Sequence, residues 1–233
     1  MDKAEFDKFA DAYQAMHKTG IRMSGEEPEY FAEYKIADIA RQFERLHGSK
    51  PSGLEILDFG AGVGGSIPFV SRYFAGCNLK CLDPSERSLE IAEARYPKAA
   101  TYHPFDGRTI PFGDGSFDIA YAMCVFHHIE ADEHVGLMKE LRRVLKPGGL
   151  LFIFEHNPYN PLTVHVVNSC PIDENAVLIP GKQLVRRLSQ AGFASPAIHY
   201  RIFFPNILRF MRPLEAALES VPLGAQYYAM SRR

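Results

Sequence analysis

The spacing of apolar residues divides the chain into two unlike stretches. In the first, Phe6, Phe9, Ala10, Tyr13 and Met16 recur at helical intervals over residues 4–17. Phe31, Tyr34, Ile36, Ile39, Ala40 and Phe43 repeat that period over residues 29–46. A loop containing Gly20, Ser24, Gly25 and Pro28 separates the two, and the run Gly48-Ser-Lys-Pro-Ser-Gly53 closes the second. Beyond it, apolar runs of strand length alternate with helical periods. Strands are predicted over residues 54–59, 78–83, 99–102, 117–124, 150–155, 197–204 and 225–230. Helices are predicted over 66–74, 85–95, 131–144, 181–191 and 213–220. Residues 150–155 are apolar almost throughout, as in a strand covered on both faces. Regular alternation predicts an α/β fold with a doubly wound, mostly parallel, seven-stranded sheet. Residues 1–48 read as a helical lid or appendage and 54–233 as the main domain. Right-handed crossovers place the ligand of such a sheet at the carboxyl ends of its strands.

Composition narrows the picture only a little. An apolar fraction of 46% over 233 residues suits one domain with a sizeable core. A net charge of −2 gives no reason to expect a nucleic-acid partner or a charged membrane surface. Without a membrane-spanning apolar run or a secretory leader pattern, the chain is expected to be cytoplasmic, with no membrane insertion. Cys77, Cys81, Cys124 and Cys170 lack paired spacing, so free thiols are expected and no metal site.

The chemistry concentrates after the first strand. Asp58 ends an apolar run and Gly60, Gly62 and Gly64 follow at alternate positions, with Gly65 completing a G-x-G-x-x-G spacing. Such a turn brings backbone amides to a nucleotide-like ligand without a Cβ in the way. Taken alone it serves a dinucleotide equally well. Downstream, Leu82-Asp83-Pro84-Ser85, Phe105-Asp106-Gly107, Ser116-Phe-Asp118, His127-His128-Ile129 and Leu145-Lys-Pro-Gly-Gly149 follow in order. The whole set resembles the class I S-adenosylmethionine-dependent methyltransferases, whose fold is Rossmann-like, and the resemblance is strongest from Leu54 to Leu151.

That resemblance implies S-adenosylmethionine as cofactor and a small-molecule methyl acceptor, with O- or N-methylation expected. It implies that Asp58, Gly60, Ala61, Gly62 and Gly64 meet the amino acid portion of the cofactor. Asp83, with Pro84 and Ser85, would take the ribose, and Asp106 and Gly107 the adenine. Cys124 would lie near the methyl group, with Tyr13 and Tyr30 closing over the cofactor from the N-terminal helices. Asp83 has a second reading as a helix N-cap, a task that Ser85 can also perform. For proton removal the candidates are His127 and His156, each following a strand. His128 reads more readily as part of a helix cap. The polar, proline-rich segment after the fifth strand reads as a substrate wall, with Glu155, Asn157 and Tyr159 meeting the acceptor. No Asn/Asp-Pro-Pro-Tyr sequence follows the fourth strand, which argues against nucleic acid as acceptor. Two alternatives stay open: a nicotinamide-dependent oxidoreductase, and a non-catalytic module that binds an adenosyl ligand.

Overall fold

The computed structural model describes residues 19–233, together with Ala10 and Met16. The helix expected over residues 4–17, with Tyr13, lies outside the described residues except for those two positions. The chain then runs α1 (Pro28–His47), β1 (Glu55–Phe59), α2 (Ile67–Tyr73), β2 (Asn78–Asp83), α3 (Glu86–Arg95), β3 (Thr101–Pro104) and β4 (Phe117–Met123). It continues α4 (His134–Val144), β5 (Leu145–His156), α5 (Pro161–Asn168), α6 (Gly181–Gln190), β6 (Ala194–Arg201), α7 (Glu215–Leu218) and β7 (Gln226–Arg232).

The seven strands form one sheet in the order β3-β2-β1-β4-β5-β7-β6. β1 pairs in parallel with β2 and β4, β2 with β3, and β4 with β5. β7 is the exception, running antiparallel between β5 and β6. The fold is therefore the expected doubly wound, mostly parallel Rossmann-like sheet with one reversed strand. The chain order reverses at β1, where β2 lies to one side and β4 to the other. That switch point is where such sheets open a crevice.

Strand alternation sorts the core into two layers. Leu57, Phe59, Ala120, Ala122, Leu151 and Ile153 face one way and pack with Leu137 and Leu141 of α4 and Leu184 and Leu188 of α6. Ile56, Ile119, Tyr121, Phe152 and Phe154 face the other, under Ile36, Ile39 and Ala40 of α1 and Ile67 and Val70 of α2. Each large aliphatic or aromatic side chain so buried contributes about 1.5–3 kcal/mol. α1 thus packs directly on the sheet, and its position is fixed by the same layer that holds α2.

Three sequence expectations need correction. The segment after β5, read as a substrate wall with no helix assigned to it, contains α5 and a 3-10 turn at Pro171–Asp173. Asn160 caps α5 by accepting from the Thr163 amide at 3.1 Å, with Pro161 at the first helical position. The helix expected over 213–220 is a 3-10 run, Asn206–Leu214, followed by the single turn of α7. Pro213 supplies no amide hydrogen there, which interrupts a regular α-helix. β5 begins five residues earlier than expected, at Leu145 opposite Phe117, and resumes at Leu150 opposite Ile119. Residues 146–149 bulge out between these pairs, tied down by Lys146 Nζ on Asp118 Oδ2 at 2.8 Å.

Candidate active site

A cavity of about 330 Å³ opens at the carboxyl ends of β1, β2, β4 and β5. Its floor on one side is the turn between β1 and α2. The Gly60 and Ala61 amides both donate to the Leu82 carbonyl, at 2.8 and 3.1 Å, which pulls the turn against β2. Gly60 has φ +80°, and a Cβ there would stand 2.5 Å from Val125 Cγ2, so no side chain fits. Gly62 has φ +51° and no atom within 4 Å of where a Cβ would be, leaving open space above the turn.

Two carboxylates frame this end. Asp83 Oδ2 accepts from the Gly62 amide at 2.8 Å and Oδ1 from the Ser85 amide at 2.9 Å. Asp58 accepts from the Ser66 hydroxyl at 2.5 Å and the Tyr121 hydroxyl at 3.0 Å. Burial, with some repulsion from Asp83, outweighs those hydrogen bonds and lifts the Asp58 carboxyl to about 7. Both acids line the cavity.

The opposite end is assembled from distant segments. Cys124 follows β4 with φ +59°, a left-handed conformation for a residue with a Cβ, and its amide donates to the Phe154 carbonyl at 2.8 Å. Lys35 of α1 is buried and donates from Nζ to Cys124 Sγ at 3.3 Å. Burial works to raise the thiol, but Lys35 and then His156 outweigh it and lower Cys124 to about 6. Tyr34 donates its hydroxyl to Gln226 Oε1, which turns the amide nitrogen of Gln226 toward His156 Nδ1, 3.3 Å away. His156 Nδ1 is then the acceptor and Nε2 carries the ring hydrogen.

His127 and His128 sit in a 3-10 turn, Phe126–His128, just beyond Cys124. His127 Nδ1 donates to Glu155 Oε2 at 2.5 Å, while Glu155 Oε1 accepts from the Phe126 amide at 2.9 Å. Asp173 Oδ1 lies 3.6 Å from His127 Nε2 and 3.4 Å from His128 Nε2. Burial acts to lower His127, yet Glu155 and Asp173 together raise it to about 10. His128 moves the other way, to about 4, through burial and the neighbouring His127. The Glu155 and Asp173 carboxyls are both held below their ordinary values: burial would raise them, and the histidines more than offset it.

Of the residues singled out by sequence, Asp58, Gly60, Ala61, Gly62, Asp83, Cys124, His127, His128 and His156 line this one cavity. Others are placed elsewhere. Gly64 has φ +79° and packs against Ile67 and Ala92. Ser85 caps α3, accepting from the Ser88 amide at 3.0 Å. Pro84 connects β2 to that cap. Asp106 is spent on a turn, its Oδ1 accepting from the Arg108 and Thr109 amides at 2.8 Å each, and with Gly107 it lies outside the cavity lining. Those turn amides hold the Asp106 carboxyl below its ordinary value. Tyr30 packs on Phe31 and Tyr34, with the Arg212 guanidinium 4.6 Å from its ring centroid. Glu155 is fully buried behind His127. Asn157 is fully buried too, donating to the Gly224 carbonyl at 2.7 Å and accepting from the Tyr159 amide at 3.1 Å. Tyr159 is exposed. Lys35 and Gln226 were not among the sequence candidates. Lys35, Asp38 and Gln42 place polar groups on the inward side of α1, and that break in the apolar stripe is the signal that marks Lys35.

A turn closed by glycines at the switch point, flanked by acids at the ends of β1 and β2, defines a nucleotide-type site on a doubly wound domain. Residues 57–153 match the methyltransferase domain family. A thiol S-methyltransferase of Homo sapiens is 32% identical over 135 residues, covering 54% of this chain and 53% of that protein. A sterol 24-C-methyltransferase of Yarrowia lipolytica is 32% identical over 139 residues, covering 54% of this chain and 35% of its own length. The chain therefore spans about half or less of these two curated relatives. In fold it is similar to an S-adenosylmethionine-dependent methyltransferase of Thermotoga maritima, with TM-score 0.66, 19% identity and 99% of both chains covered. Residues 57–153 therefore form a methyltransferase domain, on the Rossmann-like fold of the class I S-adenosylmethionine-dependent methyltransferases. That match favours S-adenosylmethionine over the dinucleotide reading of the glycine spacing. Among the described residues, no helix is long and apolar enough to cross a membrane, and Cys77, Cys81, Cys124 and Cys170 are free.

Proposed function

We propose that the chain methylates a small molecule at a hydroxyl or amine. A thiol falls within the same chemistry and is brought in by the human relative. The observation that carries the reading is the single cavity, with the glycine turn on one wall and Lys35, Cys124 and His156 on the other.

The residues present fit the family's cofactor. The open space above Gly62 admits a ligand against the turn. The buried Asp58 carboxylate suits an ammonium, and Asp83 at the end of β2 suits paired ribose hydroxyls. When bound there, S-adenosylmethionine supplies an electrophilic methyl group on a sulfonium. Asp106 Oδ1 closes a turn outside the cavity lining, so the assignment does not rest on it.

Cys124 takes the proton that the acceptor loses. Its Sγ lies 3.3 Å from Lys35 Nζ, and a thiol lowered to about 6 is largely thiolate at neutral pH. A base with its pKa near the working pH contributes roughly 10²–10⁴ in rate. His156, held by Gln226, hydrogen-bonds the Cys124 side chain and favours its thiolate form. His127 and Glu155 position the turn that carries Cys124's neighbours. Phe31 of α1 borders the cavity and limits water entry. The Cys124 thiolate would take the acceptor's proton as the acceptor's heavy atom gained the methyl group that the bound cofactor would supply.

The test is calorimetric titration with S-adenosylhomocysteine beside NAD, followed by a radiolabelled methyl-transfer screen over hydroxyl, amine and thiol acceptors. Micromolar binding of the thioether, weakened at least tenfold by Asp83→Ala, with transfer to one acceptor class, supports the reading. Thioether binding without transfer to any class supports the non-catalytic module instead. Preference for NAD overturns both.

A further inference from the structure

We propose that His127, His128 and Asp173 form a binding site for a divalent first-row transition metal ion at the acceptor end of the cavity. The three side chains present one ligating atom each, all within 4.8 Å of one another. Asp173 Oδ1 stands 3.6 Å from His127 Nε2 and 3.4 Å from His128 Nε2. Those separations match the edge of a tetrahedron with metal–ligand bonds of about 2.0–2.1 Å, which is roughly 3.4 Å.

A second observation points to a cation. His127 is 2% exposed, and its Nε2 has no hydrogen-bond partner. Nδ1 is committed to Glu155 at 2.5 Å, so Nε2 is the nitrogen left to face Asp173, and an ion bound there would displace the proton that the ring otherwise holds. Nε2 and the Asp173 carboxylate oxygen face each other across a 3.6 Å gap, beyond direct hydrogen-bond distance, which a metal ion bridges in place of that proton. The Glu155–His127 pair is itself the arrangement by which metal-binding imidazoles are oriented, one nitrogen held by a carboxylate and the other left for the ion. Glu155 is in turn fixed by the Phe126 amide at 2.9 Å, so the ring cannot swing away.

Two imidazoles and one carboxylate select Zn²⁺, Co²⁺, Fe²⁺ or Mn²⁺ over Mg²⁺ and Ca²⁺, which prefer oxygen ligands. Three protein ligands leave a position for water or for an oxygen or sulfur atom of a bound molecule. The cavity side of the cluster is where that position opens, since all three residues line it. Metal binding does not depend on the methyl-transfer reading; only the further step, that the ion holds the acceptor's heteroatom, rests on it.

The experiment uses the full chain, freed of metal with a chelator and titrated calorimetrically with ZnCl₂ and with MgCl₂. One Zn²⁺ per chain with micromolar or tighter affinity is expected, and no Mg²⁺ uptake. His128→Ala and Asp173→Asn should each weaken Zn²⁺ binding at least tenfold while their circular dichroism spectra stay unchanged. Cys77→Ser should bind as the parent does. Replacing Zn²⁺ with Co²⁺ should give tetrahedral d–d absorption without a thiolate-to-metal charge-transfer band. No uptake would mean that a proton fills the gap between His127 and Asp173. Uptake that survives both ligand variants, or a charge-transfer band from a cysteine, would place the ion elsewhere. Each of these results overturns the proposal. A metal-binding protein that transfers no methyl group would leave the site standing and remove only the proposed function.

Discussion

The two ends of the cavity are built in opposite ways. The glycine-turn end is made by residues 58–85, consecutive along the chain, and much of its contact surface is main chain. The acceptor end is made by single side chains from α1, the end of β4, the end of β5, the Pro171–Asp173 turn and the start of β7. At the first end the turn sets the shape: an added Cβ collides with Val125 at Gly60 and enters open cavity at Gly62. The other depends on charges held in place by tertiary packing. Substitutions should separate the ends cleanly, with fold and affinity lost at the first and turnover or stability lost through charge at the second.

The largest effect is expected at Cys124. Cys124→Gly removes the thiol while relieving a left-handed backbone at φ +59°, so the two consequences pull apart. Turnover should fall roughly 10²–10⁴-fold, equivalent to about 3–5 kcal/mol of barrier. Stability in urea should fall by about 1–3 kcal/mol, because the relieved strain only partly offsets the buried Lys35 ammonium left without its sulfur partner. A variant that keeps its turnover would remove Cys124 from the chemistry and return the proton to a histidine. Lys35→Met provides the companion readout. The thiolate absorbance of Cys124, titrating near 6 in the parent, should move upward in pH when the ammonium is removed.

Glu155→Ala comes next and acts on stability. It strips a fully buried carboxylate from His127 and from the Phe126 amide, leaving both donors without an acceptor. Breaking such a pair typically removes about 3–5 kcal/mol. Denaturant unfolding at pH 7 measures it, and a loss below 1 kcal/mol would show that the pair does little to hold the acceptor end.

The sequence made the first end readable and the second only partly so, for the same reason that these substitutions differ. Gly60 and Gly62 act through backbone geometry within one strand–turn–helix unit, and Asp83 ends the strand that follows it, so spacing alone picks them out. Asp106 differs from these: its Oδ1 accepts from two amides of its own turn, and the residue lies outside the cavity lining. The pair His127-His128 was visible after β4, but what Nδ1 and Nε2 do depends on Glu155 and Asp173, both more than 25 residues away. Asn157, read as a substrate contact, is consumed by the carbonyls that precede β7. Its amide needs partners because it is buried, and no local pattern says which. Lys35 belonged to a helix read as a lid, and its partner Cys124 lies 89 positions further on. The reversed β7 was hidden as well, because alternation of apolar residues is blind to strand direction.

The glycine turn supplies an internal contrast of smaller size. Gly60→Ala forces a Cβ to within 2.5 Å of Val125 at φ +80°, while Gly62→Ala meets nothing within 4 Å at φ +51°. Overpacking added to a left-handed backbone should destabilise the first by about 2–4 kcal/mol. The second should lose about 1 kcal/mol of stability but weaken S-adenosylhomocysteine binding, because its methyl enters the cavity. Thermal unfolding and calorimetry on both variants read the two effects. Equal destabilisation would mean that Val125 moves aside and that the close approach at Gly60 does not fix the turn.

The smallest predicted effect is a pH dependence at Asp58, and its sign follows from the direction of the shift. Burial, aided by Asp83, lifts the carboxyl from 3.8 to about 7, so the folded protein holds a proton there that the unfolded chain releases. Stability from this group is therefore greatest at low pH and declines as pH rises from about 4 to about 7. Binding runs the opposite way if Asp58 meets the ligand's ammonium, since only the carboxylate attracts it. Affinity for S-adenosylhomocysteine should strengthen as pH rises through 7, by at most tenfold per unit below that point, and level off above it. Asp58→Asn should flatten the profile, leaving the affinity at pH 8 near the parent's value at pH 6. A parent profile that is already flat between pH 6 and 8 would place Asp58 wholly in the service of Ser66 and Tyr121. The first end of the cavity would then act through backbone and Asp83 alone, which would sharpen its contrast with the charge-built acceptor end.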